Sequence, residues 1–173
     1  FFKKGWFRIV PKGTISPSQI AATVRCWDKA ATEPSAAYPN PDWTRGGKVS
    51  LLNDGRLVIH DMRGCRKSPG GVDAFMKATA EADGLRVAVK AWEDPGQAGK
   101  VDTAHMGRLF TGYSFAIVKA SEDKETYAGP WSSLTEQGRV LVEEGDWNDE
   151  FFAEVEAFPS KGTKKDQVDC ISL

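Results

Sequence analysis

From residue 22 the chain alternates apolar and polar side chains through Val24-Arg25-Cys26-Trp27, then stops at Asp28 with small residues and a loop after it. That period of two predicts a strand over about 22–28. Two further runs, 48–52 and 56–62, flank Asn53-Asp54-Gly55, a hairpin turn because Asp-Gly supplies the positive φ angles a tight reversal needs. Ser68-Pro69 then opens a helix, with Ser as cap and Pro at the first helical position. Val72, Phe75, Met76, Thr79 and Ala80 line one face of it, and Asp83-Gly84 ends it. The remaining pattern predicts a strand over 85–92, a helix over 101–111, a strand over 114–119, and a segment 124–137 that is helical in part and interrupted near Gly129-Pro130. A short strand over 140–143 follows, then a helix marked by Trp147, Phe151, Phe152, Val155 and Phe158 and stopped by Pro159, and a last helix from Asp166. Strands first and an alternation of helix and strand afterwards describe an α/β fold: a mixed sheet, three antiparallel strands followed by parallel ones, with helices on both faces.

The proline-bearing stretch 32–43 reads as a loop, and residues 1–20, aromatic and basic and then rich in Pro, Ser and Gly, read as a connector into a domain over 21–173. A length of 173 residues fits one domain with a full core. The opening Phe1-Phe2-Lys3-Lys4-Gly5-Trp6-Phe7 has no initiator Met and no signal-peptide pattern, so we expect a segment of a longer polypeptide. No apolar run approaches membrane-spanning length. A hydrophobic content of 40% and a charged content of 27% are ordinary. The formal charge of −1 carries no global nucleic-acid signature, and does not exclude DNA, because an acidic site can offset a basic face. Cys26, Cys65 and Cys170 are far apart, without CxxC spacing, which argues against a disulfide framework or a thiolate zinc site.

Several motif chemistries fall away. Gly96-Gln97-Ala98-Gly99-Lys100 resembles half of a phosphate loop, but Asp94 stands where the first Gly belongs and Val101 where Ser or Thr belongs. No nucleotide is expected on this segment. His60 and His105 lack metal-binding spacing, and no nucleophile elbow is present. The carboxylates remain: Asp28 after the first strand, Glu93-Asp94 after the fourth, and Asp166 with Asp169 at the last helix. Asp28 alone reads equally as a cap or turn residue. Brought together by neighbouring strand ends, however, these acids would repel one another without a cation. Hard oxygen ligands of that kind suit Mg²⁺ or Mn²⁺, and paired ions of that type cleave phosphodiesters.

Cys26-Trp27-Asp28-Lys29-Ala30-Ala31-Thr32 followed by Asp42-Trp43-Thr44 resembles the opening of the nuclease domain of large terminase subunits of tailed bacteriophages. Glu93-Asp94-Pro95-Gly96 through Lys100, Asp123-Lys124 with Ala128 and Pro130, Trp147-Asn148 with Phe151 and Phe158-Pro159, and Asp166-Gln167-Val168-Asp169 follow in the family's order. The resemblance covers about residues 22–173 and implies an RNase H-like fold. It also implies a Mg²⁺- or Mn²⁺-dependent endonuclease that cuts concatemeric double-stranded viral DNA during genome packaging by two-metal-ion hydrolysis. On it, Asp28, Asp94 and Asp166 are the metal ligands and catalytic acids, and Asp169 is a further ligand. Asp42 and Glu93 support them from behind. Where the family often has His-Asp-Asp, this chain has Lys164-Lys165-Asp166. Strand alternation sends Glu93 and Asp94 to opposite faces, so one of the two meets the metals.

Basic residues at element ends, chiefly Lys100, Lys124, Lys164 and Lys165, are candidate phosphate contacts. The resemblance also implies a packaging ATPase domain in the same polypeptide, a small terminase subunit and a portal protein as partners, and a place on the procapsid in the host bacterial cytoplasm. Two other readings use the same residues: a catalytically silent module docking on portal protein or DNA, and another RNase H-like enzyme such as a junction resolvase or transposase-type strand transferase.

Overall fold

The computed structural model describes residues 1–93 and 97–173. Seven strands form one sheet: β1 (Arg8–Val10), β2 (Ile20–Asp28), β3 (Thr44–Leu52), β4 (Leu57–Cys65), β5 (Ala88–Glu93), β6 (Phe115–Lys119) and β7 (Val140–Glu143), in the spatial order β1-β7-β4-β3-β2-β5-β6. The meander β2-β3-β4 is antiparallel, while β5 and β6 add in parallel beside β2, and β7 and β1 in parallel beside β4. The three-strand meander and its parallel extension therefore match the expected sheet. Its helices are α1 (Pro69–Asp83), α2 (Gln97–Leu109), α3 (Lys124–Glu136), α4 (Asn148–Ala157) and α5 (Asp166–Ile171).

The hairpin forms where Asn-Asp-Gly predicted it. Gly55 sits at φ +78°, and the Leu52 N–H and carbonyl bond to Arg56 O and Gly55 N. In α1 the Ser68 hydroxyl accepts from Gly71 N, Pro69 occupies the first position, and Gly84 at φ +83° closes the helix onto Ala80 O. Its face of Val72, Met76, Thr79 and Ala80 is buried against Trp27, Val89 and Ala91 of the sheet, with Met106 and Phe110 completing that layer. On the opposite face α3, α4 and α5 pack over Cys26, Val49, Ile59 and Val142.

Three local differences from the sequence reading have physical causes. In residues 1–20, expected as a connector, a short strand forms and the aromatics pack on the domain. Phe2 stacks on Trp131 with ring centroids 4.1 Å apart, Phe7 meets Phe151 and Phe152 edge-on, and Ile9 pairs with Val142. A segment that rich in apolar surface is stabilised by burial. Strand β3 begins at Thr44, earlier than expected, because Gly46 and Gly47 act as packing residues and not as a turn. Trp27 lies over one and Ile171 over the other. Helix α3 continues through Pro130: Asp123 caps Thr126 N at 2.7 Å, and Ala128, Trp131 and Thr135 are buried on either side of the proline. That burial outweighs the one lost hydrogen bond.

Arg25 explains how α1 is fixed to the sheet. Its side chain is fully buried in mid-strand, forked onto Asp83 at 2.8 and 2.9 Å, paired with Asp61, and donating to Gly46 O at 2.9 Å. Satisfying a guanidinium on all sides is what makes burying it tolerable.

Candidate metal centre

Apart from β3, every strand runs in one direction, so the carboxyl ends of β2 and β5 lie side by side. The register pairs Trp27 with Ala91 and brings Asp28, the last residue of β2, level with the end of β5 at Trp92-Glu93. Crevices at the carboxyl ends of such strands are where open α/β sheets place ligands. Here a cavity of about 190 Å³ is lined by Asp28, Trp92, Glu93, Lys124, Tyr127 and Asp169 among others. Asp94 lies outside the described residues, as do Pro95 and Gly96.

The third element is α5, which packs across β2 and β3. Cys170 fixes it there: its thiol donates to Cys26 O at 2.7 Å and its sulfur receives Gly47 N–H at 3.0 Å. Glu154 of α4 holds the start of the helix, accepting from Gln167 N at 2.6 Å and Val168 N at 3.0 Å. Asp169 is thereby set on the cavity wall, where Trp92 Nε1 donates to its backbone carbonyl at 2.9 Å. Tyr127 meets Trp92 edge-on at 4.8 Å and completes an aromatic wall beside the acids.

Lys124, the first residue of α3, forms an ion pair with Asp169. Burial works against its charge, but the Asp169 hydrogen bond and the charges of Asp169, Asp28 and Asp166 outweigh that and raise its pKa. Three of the four expected ligands, Asp169, Asp28 and Asp166, thus act on one ammonium. Asp166 lies a helical turn before Asp169 and is not on the cavity wall; its Oδ2 accepts Trp43 N–H at 3.2 Å. Burial pushes the Asp166 carboxyl above the usual carboxylate range against that hydrogen bond, with Asp42 adding to the shift. Burial raises Asp169 likewise, in spite of Lys124. Glu93 lines the cavity and accepts from Thr103 Oγ1 at 3.1 Å.

The remaining candidates sit further out. Asp42 is exposed and pairs with Lys164 at 2.6 Å, so it reaches Asp166 through its charge. Lys165 donates to Pro159 O at 3.2 Å and lies over Phe158, and Lys100 is exposed on the first turn of α2. Beside the acids, the Trp43 ring carries Arg45 and Arg66 guanidinium carbons at 4.2 and 4.3 Å from its centroid. Nothing in the local residue pattern marks this cationic stack, or Trp92 and Tyr127, beyond the presence of aromatics near acids.

Carboxylates drawn out of water beside one lysine form a donor set that favours a hard divalent cation: oxygen ligands, excess negative charge, and carboxyl groups that burial discourages from ionising alone. Among the described residues, no group of three His, Cys, Asp or Glu side chains is arranged to hold an ion by itself.

A seven-stranded mixed sheet in this order, with helices on both faces, is of the RNase H-like class. The Terminase RNaseH-like domain model matches residues 25–173, and the chain belongs to that family. It is similar in structure to the large terminase nuclease domain of Thermus phage P74-26, at 16% identity over 97% of this chain and 89% of that one with a TM-score of 0.66. The large terminase nuclease of thermophilic phage G20c with bound magnesium matches at 14% identity, 97% and 91% coverage and a TM-score of 0.66. The manganese-soaked, inhibitor-bound human cytomegalovirus terminase nuclease domain matches at 9% identity, 94% and 87% coverage and 0.66. No curated protein sequence matches the chain.

Proposed function

We propose that this chain is the metal-dependent endonuclease of a viral large terminase, cutting concatemeric double-stranded DNA during genome packaging. The observation that carries the reading is the meeting of Asp28, Glu93 and Asp169 on one cavity at the carboxyl end of the sheet. In this reading Asp28 at the β2 end holds divalent ions with one acid of the β5 end, Glu93 on the cavity wall or Asp94 after it, and the α5 acids Asp166 and Asp169 complete the site. Mg²⁺ and Mn²⁺ are the ions proposed, and magnesium-bound and manganese-soaked terminase nucleases of the same fold support the choice. When bound, such ions supply Lewis acidity toward the phosphodiester and lower the pKa of a water.

The chain's own residues do the rest. Glu93 is held by Thr103 Oγ1, and Asp42 is paired with Lys164 beside Asp166. Asp28 and Asp169 would repel an anionic phosphodiester on their own, so their part is to hold the cations that make the cavity receptive to it. Lys100, Lys124, Lys164 and Lys165 hold flanking phosphates without reading sequence. A packaging ATPase, a small terminase subunit and a portal protein are the proposed partners, and the host cytoplasm is the proposed setting. No described helix is long and apolar enough to cross a membrane.

The test is nicking of supercoiled plasmid at low salt with Mn²⁺, by the chain and by Asp28→Asn. Cleavage by the first and loss in the second support the reading. Equal inactivity of both overturns it, and strong preference for four-way junctions over linear duplex would favour a resolvase.

A further inference from the structure

Lys124 is unusual among the lysines near the site because it pairs with a cavity-lining acid. Its side chain is 61% exposed while that of Asp169 is 9% exposed, so the ammonium reaches inward from a solvent-facing stem. The cavity it enters is the one that Asp28, Glu93 and Asp169 line. Its charge is held by Asp169 first and by Asp28 and Asp166 as well. The backbone beneath it is anchored, since Asp123 caps α3 and Ala128 and Trp131 are buried. The flexible four-carbon stem can therefore swing without the helix moving.

We propose that Lys124 is a tethered counter-cation: its ammonium occupies the Asp169 carboxylate in the metal-free protein and must leave when a divalent ion binds. The inference rests on the proposed function above, and adds that metal loading at this site is a cation exchange. A carboxylate cluster without a cation is repulsive, and a lysine on a flexible stem neutralises it while remaining easy to displace. Lys124 engages Asp169 Oδ2, so an ion that takes that same oxygen competes with the ammonium through charge and space. Lys124 is in this sense a positioning residue, acting on the metal through Asp169.

The experiment is a calorimetric Mn²⁺ titration of wild type, Lys124→Met, Lys124→Arg and Asp28→Asn. Removing the competitor should tighten Mn²⁺ binding by roughly two- to fivefold, the scale of a part-exposed ion pair. Lys124→Arg should stay near wild type. A purely structural lysine would leave affinity unchanged or weaken it on removal, and either result overturns the inference. Failure of wild type to bind Mn²⁺ at all, with Asp28→Asn indistinguishable, instead removes the metal reading and this inference with it. Should Lys124→Met not fold, the wild type gives the second measurement. Acetylation of Lys124, followed by mass spectrometry, should accelerate severalfold on adding Mn²⁺ as the amine is displaced, while an unchanged or slower rate refutes displacement.

Discussion

Replacing Gly46 by Ala tests how tightly the sheet positions Asp28. Gly46 faces Trp27 across the β2–β3 ladder, and a Cβ there would meet the Trp27 ring carbons at 2.5–2.7 Å. Carbon–carbon contacts are optimal near ~3.5–4.0 Å, so the ring or the strand must shift by about an ångström. The ring has no room to give: Trp27 is fully buried and lies edge-on to Phe75 of α1 at 5.9 Å. Overpacking of this kind costs about 3 kcal/mol. Ala recovers about 0.5–1 kcal/mol of the strand penalty of Gly, which leaves a net loss near ~2 kcal/mol, or about 6 °C in Tm for a domain of this size. Gly47→Ala is the control, since the close contacts of its Cβ would be the Ile171 Cδ1 and Met62 Cε tips at 2.6 and 3.0 Å, with Cys170 Sγ in ordinary contact at 3.4 Å, and those tips can turn aside for about 1 kcal/mol or less. Thermal melts of the two variants decide the matter, and Gly46→Ala melting at or above Gly47→Ala refutes the reasoning. Because Trp27 precedes Asp28, Gly46→Ala should also lose about 100-fold in cleavage, the scale of an ångström's misplacement.

Two further outcomes follow from buried charge. Burial opposes the Asp83 carboxylate, but Arg25 and Lys48 outweigh it and hold its pKa below the ordinary value, so its contribution is present above pH ~4 and is lost as pH falls through the folded pKa. Asp83→Asn, measured by denaturant unfolding, should cost about 3 kcal/mol at neutral pH, because it leaves Arg25 half-paired, and the deficit should shrink in acid. Glu154 is the opposite case. Burial raises its pKa in spite of three hydrogen bonds from Gln167 and Val168, so its ionisation opposes folding once pH rises past about 4. Glu154→Gln should be within about 1 kcal/mol of wild type or above it at pH 7, whereas Glu154→Ala, which strips the first turn of α5 of its acceptor, should lose about 2 kcal/mol.

The fold was legible wherever local chemistry and periodicity agreed. Asn53-Asp54-Gly55 and Ser68-Pro69 state their turns and caps without help from distant residues, and the strand ending at Asp28 follows from alternation alone. What escaped depends on partners far along the chain. The strand at Arg8–Val10 is three residues long and exists because β7 pairs with it, and the Gly46-Gly47 segment is extended because Trp27 and Ile171 need its bare backbone. Arg25 breaks the expectation of an apolar core position, since only Asp61 and Asp83, folded in from β4 and α1, make it tolerable. At the site, the acids at strand ends were visible one by one. Which of the α5 acids lines the cavity was not, because that depends on how Cys170 and Glu154 seat the helix.

The central claim is that Asp28 binds metal with the β5-end and α5 acids. Anomalous diffraction from a crystal soaked in Mn²⁺ tests it most directly. A peak is expected about 2.1 Å from an Asp28 carboxylate oxygen, shared with Glu93 or Asp94 and with Asp169 or Asp166, and absent from Asp28→Asn. A soaked crystal with no peak beside Asp28, or with Mn²⁺ bound only elsewhere, contradicts it.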